Sequence, residues 1–306
     1  MTDITFPEAK KSGLLREFIH EDLAGSGCTF YVFRDDLSDP FLGGNKMRKL
    51  KYNLEAFYKS GKKTILSFGG KYSNHLVALA AAGHRYGFQT IGILRGEEET
   101  NNEYSNFMKR CGMKLFPVDR ATYRLRNEED GNEQVVKAAF QHAGLNLPDF
   151  SELFILPEGG SNELAKNGCS EIPAETGIAF DYICCASGTG TTFSGIAGGL
   201  NAAQTVIGIP VLRNLNLHPD DLTKTGNVEN KILFHDYHFG GYAKTPDSLC
   251  DFTQKLNDSN QLAIEPVYTG KLFFAVLDLA KKKYFPKGSV VIIYHSGGVF
   301  NFHDQN

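Results

Sequence analysis

Short apolar runs that alternate with helical patterns constrain this chain more than any other feature of its sequence. Seven such runs end in glycine or a polar turn, which is typical of buried strands; they cover residues 64–70, 90–96, 113–119, 153–160, 181–188, 205–212 and 289–298. Between them, "NHLVALAAAGHRYG" (74–87) and "NEQVVKAAFQHAG" (132–144) have helical periodicity and end at a glycine. Strands that alternate with helices in this way predict an α/β protein built from parallel sheets.

Length and charge narrow the class of protein and of ligand. The 306 residues, 42% of them hydrophobic, suffice for two lobes that share a cleft, because domains typically contain about 100–200 residues. A net charge of −3 gives no field of one sign that would attract nucleic acid or an anionic membrane surface. A small neutral or zwitterionic ligand is compatible with this charge. The region 213–262 lacks strong strand signals, and its polarity predicts helices and surface loops.

The N-terminal segment and the cysteines indicate the compartment. The segment "MTDITFPEAKKSGLLREFI" lacks the unbroken apolar run of a signal peptide, and no segment has the roughly 18 apolar residues of a membrane span. We expect a cytoplasmic protein. The six cysteines show no metal-ligand spacing, and we interpret them as reduced packing residues; they are Cys28, Cys111, Cys169, Cys184, Cys185 and Cys250.

Unusual residues cluster at the ends of predicted strands and at the starts of predicted helices. They are Lys46, Gly69 to Asn74, Gly159 to Asn162, Ser187 to Thr192 and Ser296 to Gly298. In open α/β sheets, ligands bind outside the carboxyl ends of the strands. The sequence therefore predicts that these segments converge on one cleft.

The segment "ASGTGTTFSGIAGGL", residues 186–200, gives the clearest local signal. A strand ends at Cys185, a turn of serine, glycine and threonine follows, and small residues then begin a helix. Such a turn presents backbone amides and hydroxyls where the helix dipole favours an anion. It matches neither the P-loop nor the dinucleotide-binding glycine pattern. Local features favour a phosphate site over a plain glycine-rich turn.

Other candidates stay ambiguous when each is taken alone. Ser73 begins an alanine-rich helical pattern, where serine most often caps the helix, and His75 is either a structural or an acid–base residue. Tyr268 and Thr269 precede a further helical pattern, where such residues usually serve packing and hydrogen bonding.

The interpretation of Lys46 depends on the other candidate residues. It follows two glycines and an asparagine in "FLGGNKMRKLKYNLEAF", residues 41–57, a stretch that by itself favours a surface lysine over a catalytic one. Burial would lower the pKa of its amine and make it nucleophilic near neutrality. A lysine amine forms a Schiff base with a carbonyl, so a lysine combined with a phosphate turn suggests a phosphorylated aldehyde cofactor.

Seven motifs follow one another along most of the chain: "GGNKMRKL", "GGKYSNH", "PEGGSN", "SGTGTT", "GGYAK", "EPVYTGK" and "YHSGG". In this order they resemble the pyridoxal-phosphate enzymes of the tryptophan-synthase-β-like fold (fold type II). Within that fold, the resemblance is to the branch that holds 1-aminocyclopropane-1-carboxylate (ACC) deaminase and D-cysteine desulfhydrase. It implies a two-domain α/β architecture, with twisted, mostly parallel sheets flanked by helices. Residues 1–52 and 159–306 would form the large cofactor-binding domain, and 53–158 the smaller inserted domain.

The resemblance also implies roles for individual residues. Lys46 resembles the Schiff-base lysine, and Lys49, one helical turn later, the cation that accompanies the phosphate. Tyr242 and Tyr268 resemble the two active-site tyrosines that orient or protonate the leaving group. The cofactor's phosphate loop would be Ser187, Gly188, Thr189, Gly190, Thr191 and Thr192, with Asn74 at the ring oxygen and Ser296 at the ring nitrogen. The residues that would contact the substrate are Ser73, Asn74, His75 and Thr269, with Ser73 also as the active-site hydroxyl.

Two positions favour one substrate within this branch. ACC deaminases carry an acid where this chain has Thr269, and leucine where it has Ser296; both differences resemble the D-cysteine desulfhydrases. A hydroxyl at the ring nitrogen leaves it mostly unprotonated, which suffices for eliminating a good leaving group. The resemblance thus implies a cytoplasmic homodimer that converts D-cysteine to pyruvate, ammonia and hydrogen sulfide. The alternatives are ACC or another small amino acid such as serine, or a non-catalytic binding module that retains the fold.

Overall fold

The computed structural model describes residues 13–96, 101–128, 130–213 and 230–300. The strands in these ranges form two sheets. In chain order they are β1 (Leu15–Glu17), β2 (Thr29–Phe33), β3 (Thr64–Gly69), β4 (Gln89–Arg95), β5 (Lys114–Val118), β6 (Leu153–Leu156), β7 (Tyr182–Ser187), β8 (Thr205–Pro210), β9 (Lys231–Leu233) and β10 (Val290–Tyr294).

The larger sheet takes its strands from both halves of the chain. Its strand order is β1-β2-β10-β7-β8-β9, with β1 antiparallel to β2 and all other neighbours parallel. Ile292 of β10 lies between Tyr31 and Ile183 of the neighbouring strands. Ile292 and Ile183 are fully buried, because helices cover both faces of a parallel sheet.

The smaller sheet is wholly parallel and has the order β5-β4-β3-β6. Its central strand β3 is buried along its whole length. The described helices surround both sheets: α1 (Asn45–Lys59), α2 (Asn74–Tyr86), α3 (Glu103–Arg110), α4 (Arg120–Arg124), α5 (Gly131–His142), α6 (Glu163–Cys169), α7 (Ile172–Glu175), α8 (Thr191–Gly198), α9 (Asp247–Asn260) and α10 (Thr269–Lys281). In the part of the chain described, no helix has the length and apolarity to cross a membrane.

Buried polar contacts fix the start of α1 against the last strand of the larger sheet. Gly44 precedes the helix with φ +67, and a Cβ there would lie 2.1 Å from the carbonyl oxygen of Ser296, so only glycine fits. Arg48 donates through Nε and NH2 to the two carboxylate oxygens of Asp35, at 2.6 and 3.0 Å. The Tyr294 hydroxyl donates to the same carboxylate at 2.6 Å. Removing one partner of such a buried pair typically costs about 3–5 kcal/mol.

The α/β fold with mainly parallel sheets is confirmed. Each of the seven predicted runs contains a strand, and the two predicted helices correspond to α2 and α5. The strands of the smaller sheet come from residues 64–156, and those of the larger sheet from the flanking segments. The domain boundaries at residues 52/53 and 158/159 stay a prediction.

Three short strands, β1, β2 and β9, were not predicted. Strand β9 lies in the region 213–262, for which the sequence predicted only helices and loops; it is a three-residue, half-buried edge strand beside β8. Residues 214–229 of that region lie outside the described residues. β1 and β9, with three residues each, give too few residues for a period-2 pattern, so pairing with a neighbouring strand determines them. β2 has five residues, as many as the predicted β5 and β10, so its length does not explain why it was missed.

The cysteines are free thiols. Cys184 and Cys185 are fully buried in β7, and burial raises the pKa of the Cys184 thiol well above its ordinary value. Their complete burial agrees with the interpretation of both as packing residues. Among the described residues, no group of three or more histidine, cysteine or acidic side chains could hold a metal ion.

Candidate active site

A cleft of about 1040 Å³ lies beside the carboxyl ends of strands from both sheets. Strands β3, β7 and β10 each lead directly into a segment that lines it. Thirteen of the predicted site residues line the cleft: Lys46, Lys49, Ser73, Asn74, His75, Ser187, Gly188, Thr189, Gly190, Thr192, Tyr242, Tyr268 and Ser296. Thr191 and Thr269 do not line it.

Lys46 is the second residue of α1 and lies partly buried in the cleft wall. Its Nζ donates a hydrogen bond to Oδ1 of Asn45. Burial, with a further contribution from the positive charge of Lys49, lowers the pKa of Lys46 to about 7. Near neutrality, a large fraction of the amine is therefore unprotonated and able to attack a carbonyl carbon.

Asn45 connects this lysine to the first turn of α8. While its Oδ1 accepts from Lys46, its Nδ2 donates to Thr192 Oγ1 at 3.0 Å. A buried side-chain amide needs partners for both its donor and its acceptor, and Asn45 has both. No role was predicted for Asn45, because its partner Thr192 lies 147 residues away in the sequence.

Lys49 lies one helical turn after Lys46 on the same face of α1. Its Nζ donates to the carbonyl oxygen of Gly159 at 3.3 Å, and burial lowers the pKa of its amine. An anion bound beside it would stabilise the protonated form. Lys49 is therefore suited to a phosphate.

The turn from Ser187 to Gly190 has the features of an anion site. The Ser187 hydroxyl is 1% exposed and has no hydrogen-bond partner among the described residues. Gly190, with φ +84, precedes α8 without a side-chain cap, so the first amides of that helix are free to bind an anion. Thr191 does not line the cleft, and its hydroxyl is hydrogen-bonded to those of Ser161 and Thr189. Its amide is the first of α8, so its role in phosphate binding stays a prediction.

Ser73 and His75 lie at the start of α2. Ser73 Oγ accepts from the amide of Leu76 at 3.3 Å, so this serine caps the helix and also lines the cleft. His75 is 3% exposed, and burial, together with Lys49 and Lys46, lowers its pKa to about 3. The imidazole is therefore neutral at physiological pH and is not a proton donor for catalysis.

His75 is hydrogen-bonded through one ring nitrogen. Its Nε2 lies 2.9 Å from Ser67 Oγ, which also lies 2.8 Å from the carbonyl oxygen of Leu156. When Ser67 donates its single proton to Leu156, Nε2 carries the imidazole proton and Nδ1 is an acceptor. That Nδ1 is buried and has no partner among the described residues.

The segment after β10 completes the floor of the cleft. Asn74 Nδ2 donates to the carbonyl oxygen of Gly298 at 3.3 Å, and the carbonyl oxygen of Ser296 accepts from the amide of Asn45 at 3.2 Å. Ser296 is 7% exposed and lines the cleft. At position 296 the cleft therefore contains a hydroxyl group and not a carboxylate.

Tyr242 and Tyr268 also line the cleft, with their rings against each other. Their ring centroids are 5.9 Å apart and the rings are nearly perpendicular, at 71°. A Cβ on Gly188 would approach the ring of Tyr268 to 3.1 Å, so the tyrosine packs directly on the glycine-rich turn. Burial, with a contribution from Tyr242, raises the pKa of Tyr268 above its ordinary value. The Tyr268 hydroxyl therefore stays protonated at physiological pH.

Thr269 differs from its predicted role as a substrate contact. It is fully buried, and its Oγ1 donates to the Glu265 carboxylate at 3.1 Å. The same carboxylate accepts from the amides of Val267, Tyr268 and Thr269. Thr269 and Glu265 thus stabilise the start of α10. No role was predicted for Glu265, because this carboxylate cap precedes the helix by four residues.

The residues present fit a phosphorylated aldehyde. A partnerless buried hydroxyl at Ser187, the uncapped start of α8 and Lys49 would hold the phosphate, and the amine of Lys46 would bind the aldehyde carbon. The phosphate and the aldehyde of such a cofactor would thus each have a partner in the cleft, among the residues for which the sequence predicted that role.

Comparisons with known proteins agree with this donor set. Residues 19–297 match the family described as "Pyridoxal-phosphate dependent enzyme". The chain is 29% identical over 304 residues to a 1-aminocyclopropane-1-carboxylate deaminase of Rhizobium leguminosarum bv. viciae, covering 90% of this chain and 87% of the relative. It is 28% identical over 306 residues to a D-cysteine desulfhydrase of Yersinia pestis (strain Pestoides F), covering 91% and 90%.

Solved structures resemble the fold over almost the whole chain. The crystal structure of an ACC deaminase homologue superposes with a TM-score of 0.72 at 25% identity, covering 95% of this chain and 90% of the other.

Proposed function

Because the chain belongs to the pyridoxal-phosphate dependent enzyme family, we propose that it is a lyase that converts D-cysteine and water into pyruvate, ammonia and hydrogen sulfide. Relatives named ACC deaminase and D-cysteine desulfhydrase are almost equally similar to it, at 29% and 28% identity. Identity therefore does not discriminate between the two substrates, and the choice depends on the residues of the cleft.

The observation that carries the proposal is the hydroxyl of Ser296 at the end of β10. Of the carboxylates that line the described cleft, Glu158 pairs with Arg126 and Asp119 caps α4. Neither is free to hold a proton on the ring nitrogen of the cofactor. A hydroxyl there favours a reaction with a good leaving group, such as the thiol of cysteine, over the opening of a cyclopropane ring that has no α-hydrogen.

Bound pyridoxal phosphate supplies an electron sink for the negative charge left when a bond to the α-carbon breaks. The chain supplies the proton acceptor. With a pKa lowered to about 7, the Lys46 amine is partly unprotonated near neutrality and takes the α-proton of the substrate. Asn45, which accepts a hydrogen bond from Nζ, holds that amine in the cleft wall.

Ser73 and Asn74 would bind the substrate carboxylate. Both line the cleft at the start of the 13-residue helix α2, where the helix dipole favours a negative group. Their placement would align the α-hydrogen with Lys46, which accounts for much of the advantage of a bound over a free reactant.

Tyr268 would orient the sulfur that leaves the β-carbon by donating a hydrogen bond to it. Burial keeps its hydroxyl protonated, and the ring of Tyr242 lies near it with centroids 5.9 Å apart. The hydroxyl of Tyr268 therefore stays a donor when the thiolate leaves.

A spectrum and a substrate panel test the proposal. We expect the purified protein to show the visible absorption band of lysine-bound cofactor, and Lys46→Ala to lose both that band and all activity. With D-cysteine, L-cysteine, D-serine and ACC supplied separately, hydrogen sulfide and pyruvate from D-cysteine should form fastest. Faster release of 2-oxobutyrate and ammonia from ACC would replace the desulfhydrase assignment with the deaminase. A protein that stays colourless after incubation with pyridoxal phosphate would overturn both.

A further inference from the structure

Lys271 is a buried cation outside the cleft lining. It lies in the first turn of α10, and none of its side chain is exposed. Its Nζ donates to the carbonyl oxygens of His238 at 2.9 Å and Gly241 at 2.8 Å. Among the described residues, no carboxylate lies within ion-pair distance of this amine. Because a buried ammonium group needs hydrogen-bond partners, the lysine joins α10 to the loop that provides them.

The loop that Lys271 contacts has an unusual backbone. Four of its residues have positive φ: Phe239 (+53), Gly240 (+94), Gly241 (+120) and Ala243 (+54). Side chains such as those of phenylalanine and alanine rarely adopt this region. Such a conformation persists only where surrounding contacts hold it, and the two hydrogen bonds from Lys271 reach the carbonyls on either side of Phe239 and Gly240.

This loop leads directly into Tyr242. The side chain of Tyr242 is 47% exposed at the edge of the cleft, so packing alone constrains it weakly. Its ring nevertheless lies 5.9 Å from that of Tyr268 at 71°. The position of Tyr242 therefore depends on the backbone that precedes it.

Tyr268 is held from the same turn of α10. The Glu265 carboxylate accepts from the Tyr268 amide at 2.9 Å and from the Thr269 amide at 2.8 Å. Three residues after Tyr268, Lys271 points to the loop of Tyr242. The start of α10 thus carries both Tyr268, held by Glu265, and Lys271, which donates to the loop of Tyr242. Burial lowers the pKa of Lys271, and the negative charge of Glu265 opposes that shift.

We infer that Lys271 is a positioning residue that holds Tyr242 against Tyr268 at the mouth of the cleft. It touches neither substrate nor cofactor and acts through the carbonyl oxygens of His238 and Gly241. The inference rests on the proposed function for the assay substrate and for the role of the two tyrosines.

A double-mutant cycle separates this role from a structural one. Lys271→Met removes the donors and keeps a long side chain in the buried space. We expect kcat for D-cysteine to fall about 10- to 100-fold, because a displacement of about 1 Å at a catalytic group has an effect of that order. In a Tyr242→Phe background the same substitution should lower kcat by less than about threefold, because the hydroxyl that it misplaces is already absent. An equal loss in both backgrounds would overturn the inference.

A fluorescence measurement needs no activity, so it distinguishes failure of this inference from failure of the proposed function. The chain contains no tryptophan, so Tyr242→Trp introduces a single indole reporter at the loop. In the cofactor-free protein, adding Lys271→Met should shift the emission to longer wavelength, lower its anisotropy and increase quenching by acrylamide. Identical emission, anisotropy and quenching with and without Lys271→Met would contradict the inference even if no substrate is turned over.

Two further variants control these measurements. Lys281→Met removes a 54% exposed lysine at the end of the same helix, where it pairs with Asp22, and should change neither kcat nor the reporter. If Lys271→Met does not fold, Lys271→Gln keeps a polar group in the buried space on a side chain one bond too short to bind both carbonyl oxygens. It should then give the same loss of kcat in the Tyr242 background and a smaller one after Tyr242→Phe, and equal losses would again contradict the inference.

Discussion

Two strand-to-helix turns face the same cleft, and they begin their helices differently. Before α2, Ser73 caps the helix by accepting from the amide of Leu76 at 3.3 Å. Before α8, Gly190 in the left-handed region offers no side-chain cap, and the nearby Ser187 hydroxyl is buried without a partner among the described residues. The first helix end satisfies its own backbone, whereas the second leaves donors for a ligand. The missing cap is what suits this glycine-rich turn to an anion, and this difference can be tested by substitution.

Replacing Gly190 should have the largest effect on this contrast. Gly190 has φ +84, a conformation that costs an alanine roughly 1–2 kcal/mol. Relief of that strain would turn the first amides of α8 away from the phosphate. We expect Gly190→Ala to weaken binding of pyridoxal phosphate at least about tenfold, measured by titration of the cofactor-free protein.

Gly87 provides a matched control for backbone strain. It has φ +75 at the far end of α2, and a Cβ there would meet nothing within 4 Å. Gly87→Ala should destabilise the protein by about the same 1–2 kcal/mol without changing cofactor affinity. If the two substitutions weakened cofactor binding equally, strain and not the anion site would explain the effect.

Removing one hydroxyl from each turn should produce opposite changes. Ser187→Ala removes an unsatisfied buried group, so we expect the cofactor-free protein to be no less stable, while cofactor affinity falls about tenfold. Ser73→Ala removes a helix cap and should lower the free energy of unfolding by about 1 kcal/mol, with little change in cofactor affinity. Denaturant unfolding and cofactor titration of both variants give the comparison. The contrast fails if Ser73→Ala also weakens the cofactor tenfold.

The smallest expected effect is that of the Lys49 charge on the pKa of Lys46. Burial lowers the pKa of Lys46 to about 7, and the positive charge of Lys49 adds to this as the second cause. Lys49→Met should therefore raise the midpoint for amine labelling of Lys46 in the cofactor-free protein only part of the way to its ordinary value. Competitive acylation measured against pH gives this midpoint, and an unchanged or lower midpoint would refute the role assigned to Lys49.

The same pKa predicts how stability depends on pH. The folded pKa of about 7 lies below the ordinary 10.5, so the folded state releases a proton from Lys46 between these values. The free energy of unfolding should therefore rise with pH across that window, and it should rise less in Lys46→Met. Equal slopes in the two proteins would mean that the amine is not desolvated in the folded state.

The sequence predicted the parts of the site that are local. The turn before α8 and the lysines of α1 were identified because glycines, hydroxyls and cations are adjacent along the chain. The geometry now brings Lys46, Ser187 and Tyr268 to one cleft, and their catalytic roles stay predictions.

The parts that depend on packing were missed or misassigned. Thr269 follows Tyr268 directly in the sequence, yet its side chain points into the interior towards Glu265, because consecutive residues at the start of a helix point in different directions. Asn45 and Glu265 acquire their roles from partners that tertiary packing provides. Strand β9, with three residues, exists because β8 offers it an edge.

The contacts at the start of α1 have a consequence for biosynthesis. Asp35 is bound by Tyr294, 259 residues later in the chain, and Gly44 packs on the carbonyl oxygen of Ser296. The lysine that would bind the cofactor is thus positioned by residues that the ribosome adds almost a whole chain length afterwards. The nascent protein can form its smaller sheet early, but it cannot complete the cofactor pocket until residue 296 has left the exit tunnel. Binding of pyridoxal phosphate would therefore depend on contacts that the last described strand and the segment after it supply.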